Sequence, residues 1–131
     1  MQVLKNGLAG GQDGSEFDLV VIGAGGAGLS AAVFAAIDSA KVLLIEHTDC
    51  VGGTTAWSAG TTWVPGTHHA ATVNPTDTLD EAAKYLNHAV GAQAPAALRD
   101  AFLKNGAKAV AKIEAQSSMK FRPYPKHPDY I

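Results

Sequence analysis

Two runs of branched apolar residues stand close together early in the chain. Phe17-Asp18-Leu19-Val20-Val21-Ile22 does not alternate with polar residues and ends at a glycine, which predicts a strand buried on both faces. Lys41-Val42-Leu43-Leu44-Ile45-Glu46 predicts a second strand that ends on a carboxylate. Residues 25–38 between them are rich in alanine, and Leu29, Val33, Ala36 and Ile37 recur at spacings of three and four. Such spacing predicts a helix with one packing face. Strand, helix and strand within about 30 residues make a βαβ unit, whose two strands run parallel.

Periodicity then disappears over residues 47–74, a stretch of Gly, Thr, Ser and Pro with two tryptophans. Long segments of this kind are usually functional. Thr78-Leu79-Asp80-Glu81 fits a capping box that opens a helix, with Ala82, Leu86, Ala89 and Val90 on one side and Gly91 beyond its end. Pro95 suits the first turn of a further helix carrying Leu98, Phe102 and Leu103, interrupted at Asn105-Gly106 and resumed through Val110 and Ile113. Residues 121–131 hold three prolines and read as extended chain. The pattern as a whole is that of the α/β class.

Composition narrows the core. Of 131 residues, 24 are Ala and only 33 are Leu, Ile, Val, Phe, Met or Trp, so close backbone packing is expected in place of a bulky core. The length suits one ordinary domain. A net charge of -2 argues against a general nucleic-acid binder. The charge is uneven: residues 1–98 hold three Lys/Arg against nine Asp/Glu, and residues 99–131 hold seven against three. Lys104, Lys108 and Lys112 fall on one side of the last helix and read as a solvated face. The lone Cys50 excludes an internal disulfide and suits a reducing, cytoplasmic compartment. No apolar run approaches the roughly 18 to 20 residues of a membrane span. Residues 1–16 read as a leader that is neither a secretory signal nor a transit peptide.

Gly23-Ala24-Gly25-Gly26-Ala27-Gly28 satisfies GxGxxG between the first strand and the helix. In that context Gly23 permits the tight turn, Gly25 lets backbone N–H groups approach a pyrophosphate, and Gly28 lets helix and strand pack closely. A diphosphate would sit on the positive end of the helix dipole. Glu46, 18 residues after Gly28, stands where it can accept hydrogen bonds from ribose hydroxyls, and its charge disfavours a 2'-phosphate. Val51-Gly52-Gly53-Thr54-Thr55-Ala56 adds a second glycine pair that lets the backbone run beside a longer dinucleotide.

These blocks, with Trp57-Ser58-Ala59-Gly60 after them, resemble the FAD-dependent fumarate reductase and succinate dehydrogenase flavoprotein superfamily. Trp63-Val64-Pro65 and Pro128-Asp129-Tyr130 are similar to its 3-ketosteroid Δ1-dehydrogenase-like branch. The resemblance implies the N-terminal part of a Rossmann-like FAD-binding domain over residues 17–131. It implies Gly23, Gly25, Gly26 and Gly28 on the FAD pyrophosphate and Glu46 on the adenosine ribose. Gly52, Gly53, Thr54 and Thr55 would follow the phosphate and ribityl part, with Ala59 and Gly60 near the isoalloxazine. Tyr130 would assist the substrate proton during dehydrogenation beside a ketone. The alternatives are fumarate-like reduction of an activated C=C and a non-catalytic FAD-binding subunit. FAD is expected without a covalent link, because the covalent members' motif is absent. A substrate cap and the remaining strands are expected from a larger polypeptide, either a partner chain or the rest of a longer one.

Other residues carry plainer expectations. His68 and His69 are adjacent in a loop and are expected to point apart, and with His47 and Cys50 they lack HExxH or CxxC spacing, so no metal is expected. Trp57 and Trp63 are candidates for the cofactor site or for ordinary packing.

Overall fold

The computed structural model describes residues 14–125 and the backbone of Gln2–Leu4. Residues 1–62 and 63–131 form two compact units. Among its described residues the first unit is a parallel sheet with a crossover helix. Strands β1 (Gln2–Leu4), β2 (Leu19–Ile22) and β3 (Val42–Ile45) lie in the order β1-β3-β2, and α1 (Gly26–Ile37) connects β2 to β3. Leu19 to Ile22 pair residue for residue with Val42 to Ile45. The expected βαβ unit is therefore present. The sheet has a third strand that the sequence pattern does not announce, because β1 is three residues long and lies within the segment read as a leader.

The core of this unit sits between α1 and β3. Ala24, Ala32, Val42 and Leu44 are buried there, with Val21, Leu29, Ala35, Ala36 and Ala40 packed against them. Of the expected face, Leu29 and Ala36 pack on this core, while Ala32 and Ala35 take the places expected of Val33 and Ile37. Methyl-sized side chains let helix and sheet approach closely, which favours the alanine stripe. β2 also departs from expectation: Val20 is 51% and Ile22 84% exposed, so the strand read as doubly buried is an edge, and the buried strand is β3. Residues 47–62 are not wholly irregular, since Gly53–Trp57 form a 3-10 turn.

The second unit is helical. It contains α2 (Ala70–Val73), α3 (Leu79–Ala89), a 3-10 turn at Gly91–Gln93 and α4 (Ala96–Gln116). Thr78 caps α3, its Oγ1 accepting the Glu81 N–H at 3.2 Å. The Glu81 carboxylate, which would complete the capping box, instead takes the Lys84 ammonium at 2.6 Å. Pro95 is the N-cap of α4 and not a first-turn residue. Arg99 ties the α3–α4 connection together, donating to Gly91 O at 2.6 Å, to Ala94 O, and to Asn87 Oδ1 at 3.1 Å.

α4 is continuous where an interruption at Asn105-Gly106 is expected. Asn105 Nδ2 donates back to Ala101 O at 2.8 Å within the helix. Gly106 is there for space: a Cβ would stand 2.9 Å from Val64 Cγ1. Beside it Trp63 packs on Tyr85 and Phe102, with ring centroids 5.4 and 6.1 Å away. Among the described residues no helix is long and apolar enough to cross a membrane.

Candidate functional site

The predicted dinucleotide turn lies between β2 and α1. Gly23 leaves the strand with φ +95°, and its N–H donates to Ile45 O at 2.7 Å, locking the turn to the end of β3. A Cβ at Gly28 would lie 1.9 Å from Gly23 O, so only glycine lets α1 begin this close to the strand. Gly25 is the helix N-cap, and no side chain caps α1. The first intrahelical bond is Leu29 N–H to Gly25 O at 2.9 Å, which leaves the earlier N–H groups available to an anion. An ideal Cβ on Gly25 would meet no atom within 4 Å, so the space over this glycine is open, as a pyrophosphate cradle requires.

Glu46 follows β3 and reaches back to the turn. Its Oε2 accepts the Ala24 N–H at 2.7 Å, while Oε1 accepts the Thr48 N–H and hydroxyl, each at 3.0 Å. His47 Nδ1 stands 2.9 Å from Oε1. The Ala24 amide, then the Thr48 amide and hydroxyl, hold the carboxyl down from 4.5 to about 2 against the opposing effect of burial. Glu46 is thus ionised at any ordinary pH. Oε2 has one donor here, leaving acceptor capacity for a ribose hydroxyl.

The second glycine loop closes on the first. Gly52 N–H donates to Ala24 O at 2.7 Å, and Gly52 forms a parallel bridge with Gly25. Gly52 turns at φ +117°, which an L side chain rarely adopts. A Cβ on Gly53 would be 3.0 Å from Gly25 Cα, and one on Gly26 would be 2.8 Å from Thr55 Oγ1. Gly23, Gly25, Gly26, Gly28, Glu46, Gly52, Gly53 and Thr55 therefore form one cluster. Thr54 sits exposed in the 3-10 turn, and Ala59 and Gly60 continue beyond it in exposed chain. Trp57 is 91% exposed. Trp63 belongs to the aromatic packing of the second unit. Tyr130 lies outside the described residues, as do Pro128 and Asp129. The sequence pattern missed the part of Ala24, whose N–H and C=O join Glu46 and Gly52 to the turn; its place inside GxGxxG is the only signal.

One expectation about side-chain direction is overturned in the second unit. His68 and His69 do not point apart: both Nε2 atoms stand 3.0 Å from the Glu114 carboxylate. Their segment is a turn leading into α2, with His69 in helical backbone, and not an extended loop.

Residues 18–129 match the model of the FAD binding domain family. The chain is 35% identical over 117 residues to the 3-oxosteroid 1-dehydrogenase of Mycolicibacterium smegmatis, covering 89% of this chain and 21% of that protein. It is 32% identical over 116 residues to the 4-oxocyclohexanecarboxylate 2-dehydrogenase of Sinomonas cyclohexanicum, covering 88% of this chain and 20% of that protein. Its fold is similar to the crystal structure of the 3-ketosteroid delta1-dehydrogenase from Sterolibacterium denitrificans in complex with 1,4-androstadiene-3,17-dione. The TM-score is 0.67 at 31% identity, over 76% of this chain and 17% of that one. The chain spans about a fifth of the length of these relatives. The family match over most of the sequence gives its membership: the chain belongs to the FAD binding domain family, and FAD is its cofactor.

Proposed function

We propose that this chain is the FAD-binding component of a dehydrogenase that removes hydride and proton from adjacent carbons beside a ketone, in a 3-ketosteroid or a smaller cyclic ketone. The observation that carries the reading is the convergence of Glu46, the Gly23–Gly28 turn and Gly52 on one open cradle at the start of α1. Likeness to dehydrogenases of a steroid and of an oxocyclohexane acid supports the substrate class.

Bound FAD supplies the hydride acceptor. The chain's own residues hold it without a covalent link: N–H groups of the first turn take the pyrophosphate, and Glu46 takes the adenosine ribose. Gly52, Gly53, Thr54 and Thr55 border the phosphate and ribityl part, and Ala59 and Gly60 come near the isoalloxazine. Tyr130 acts on the proton. A phenol with a pKa of about 10 is a poor base near pH 7, so Tyr130 hydrogen-bonds the developing enolate or assists a second group. Further polypeptide completes the sheet and caps the substrate, in keeping with the exposed β2 edge and the greater length of the relatives.

Dye-coupled oxidation of a 3-ketosteroid and of a cyclohexanone acid by the complete flavoprotein tests this. Tyr130→Phe is expected to keep its FAD while turnover falls by about 10² to 10⁴. Undiminished turnover would move the proton chemistry to other residues. Activity confined to reduction of an activated C=C would overturn the dehydrogenase reading.

A further inference from the structure

The second unit holds a cluster that the FAD site does not use. His68, His69 and Glu114 come from the turn before α2 and from the last turns of α4. Helical backbone turns successive side chains by about 100°, not the 180° of a strand, which lets neighbouring histidines share a target. Their rings lie 4.0 Å apart between centroids, tilted by 39°. His68 Nε2 is 3.0 Å from Glu114 Oε2, and His69 Nε2 is 3.0 Å from Oε1 and 3.1 Å from Oε2. One possible ligand atom from each residue lies within 4.8 Å of the other two.

The carboxylate is held in place before any ligand arrives. The Phe121 N–H donates to Glu114 Oε1 at 2.8 Å, and the Glu114 side chain is only 11% exposed. That amide, with the two imidazoles, keeps the carboxyl below its usual range in spite of burial, so the group is an anion near neutral pH. A backbone N–H on a ligating carboxylate is the outer bond that fixes such groups in metal centres.

Both imidazoles present the same nitrogen, Nε2, to one carboxylate while their rings touch. Hydrogen bonds alone need each ring to carry its proton there. A divalent cation needs only two Nε2 lone pairs and one carboxylate oxygen, each about 2.0 to 2.2 Å from a common point. Nitrogen–oxygen pairs about 3 Å apart, within a cluster whose ligand atoms all lie inside 4.8 Å, are compatible with such bond lengths. Two neutral imidazoles and one carboxylate are the donor set of His₂Glu zinc centres, which leave a position for water. His68 is 55% exposed, so water has access to the cluster.

We propose that His68, His69 and Glu114 bind one zinc ion, which fastens the turn before α2 to the end of α4. The ion would be a clasp within the second unit, independent of the flavin reading, so the fold of its variants is checked by circular dichroism as well as by flavin content. It joins residues 45 positions apart in sequence, so its removal should loosen that unit.

The test uses the complete flavoprotein, stripped of metal with a chelator, then titrated with zinc chloride alone and assayed for zinc and flavin per chain. The expected result is one zinc per chain, a melting temperature raised by zinc, and at least tenfold weaker binding in His69→Ala and Glu114→Gln. His88→Ala, on the exposed side of α3, should bind zinc as the parent does. Glu114→Gln keeps an oxygen for the Phe121 N–H and so preserves the fold; unchanged flavin content verifies this, and this variant decides if His69→Ala misfolds. Failure of the parent to take up one zinc per chain would overturn the proposal. So would equal zinc affinity in the parent and Glu114→Gln.

Discussion

β2 and β3 are nearly the same strand in composition and opposite in environment. Leu19-Val20-Val21-Ile22 and Val42-Leu43-Leu44-Ile45 are four apolar residues each, paired along their whole length. Leu44 is fully enclosed and Ile22 is 84% exposed. The difference lies in sheet position: among the described residues β3 has a strand on either side, and β2 has a neighbour on one side only. An apolar, unpaired edge is an aggregation hazard that folded proteins cover. In a dinucleotide-binding sheet of order 3-2-1-4, the run β1-β3-β2 corresponds to the first three positions, and the next strand would pair with β2. An apolar strand left this exposed fits the proposal that further polypeptide pairs with β2.

The harshest way to break this arrangement is Gly28→Val. A side chain there meets Gly23 O at 1.9 Å, so α1 cannot seat on β2, and soluble, flavin-loaded protein should be lost; its yield and flavin content measure this. Next comes a direct comparison of the two strands in the complete flavoprotein. Leu44→Ala should cost about 2 to 5 kcal/mol in chemical denaturation, as large-to-small core changes do. Ile22→Ala should cost a similar amount if further polypeptide covers β2, and under about 0.5 kcal/mol if the edge stays in solvent.

A smaller effect is expected where β3 meets the turn. Glu46→Gln keeps the shape but loses a charged acceptor, so FAD should bind about tenfold more weakly in equilibrium titration. Unchanged affinity would leave Glu46 as a brace for Ala24 alone. The smallest effect is its pH dependence. The folded carboxyl is depressed from 4.5 to about 2, so its stabilisation is fully present above about 4.5 and disappears as pH falls towards 2. The melting-temperature gap between the parent and Glu46→Gln should therefore narrow as pH falls through that window. A constant gap would contradict the bonding at Ala24 and Thr48.

What was legible in the sequence was local. The βαβ unit, the glycine turn, Glu46 at the end of β3 and the Thr78 cap each depend on residues close in sequence, and all are present. What was hidden depends on distant partners. The edge status of β2 is set by which strands are present, not by its own residues. Gly106 reads as a break but fits against Val64, and α1 chooses its alanine side because small side chains lie closest to the sheet. The shared target of His68 and His69 depends on the helical backbone at His69 and on Glu114, 45 residues beyond it. Gly52 was singled out beside the turn, but its bridge to Gly25 is a pairing that only the folded chain supplies.

The claim at the centre is that the turn between β2 and α1 seats FAD, and Gly25 tests it most directly, because a Cβ there meets no described protein atom within 4 Å. Gly25→Val is expected to fill the space meant for the pyrophosphate, with Gly25→Ala, whose Cβ meets nothing, as the milder variant that keeps the fold. Flavin bound per chain in the purified complete protein, read with its circular dichroism, is the measurement. The account predicts a parent-like spectrum with flavin close to zero; a folded variant with full flavin occupancy would contradict it.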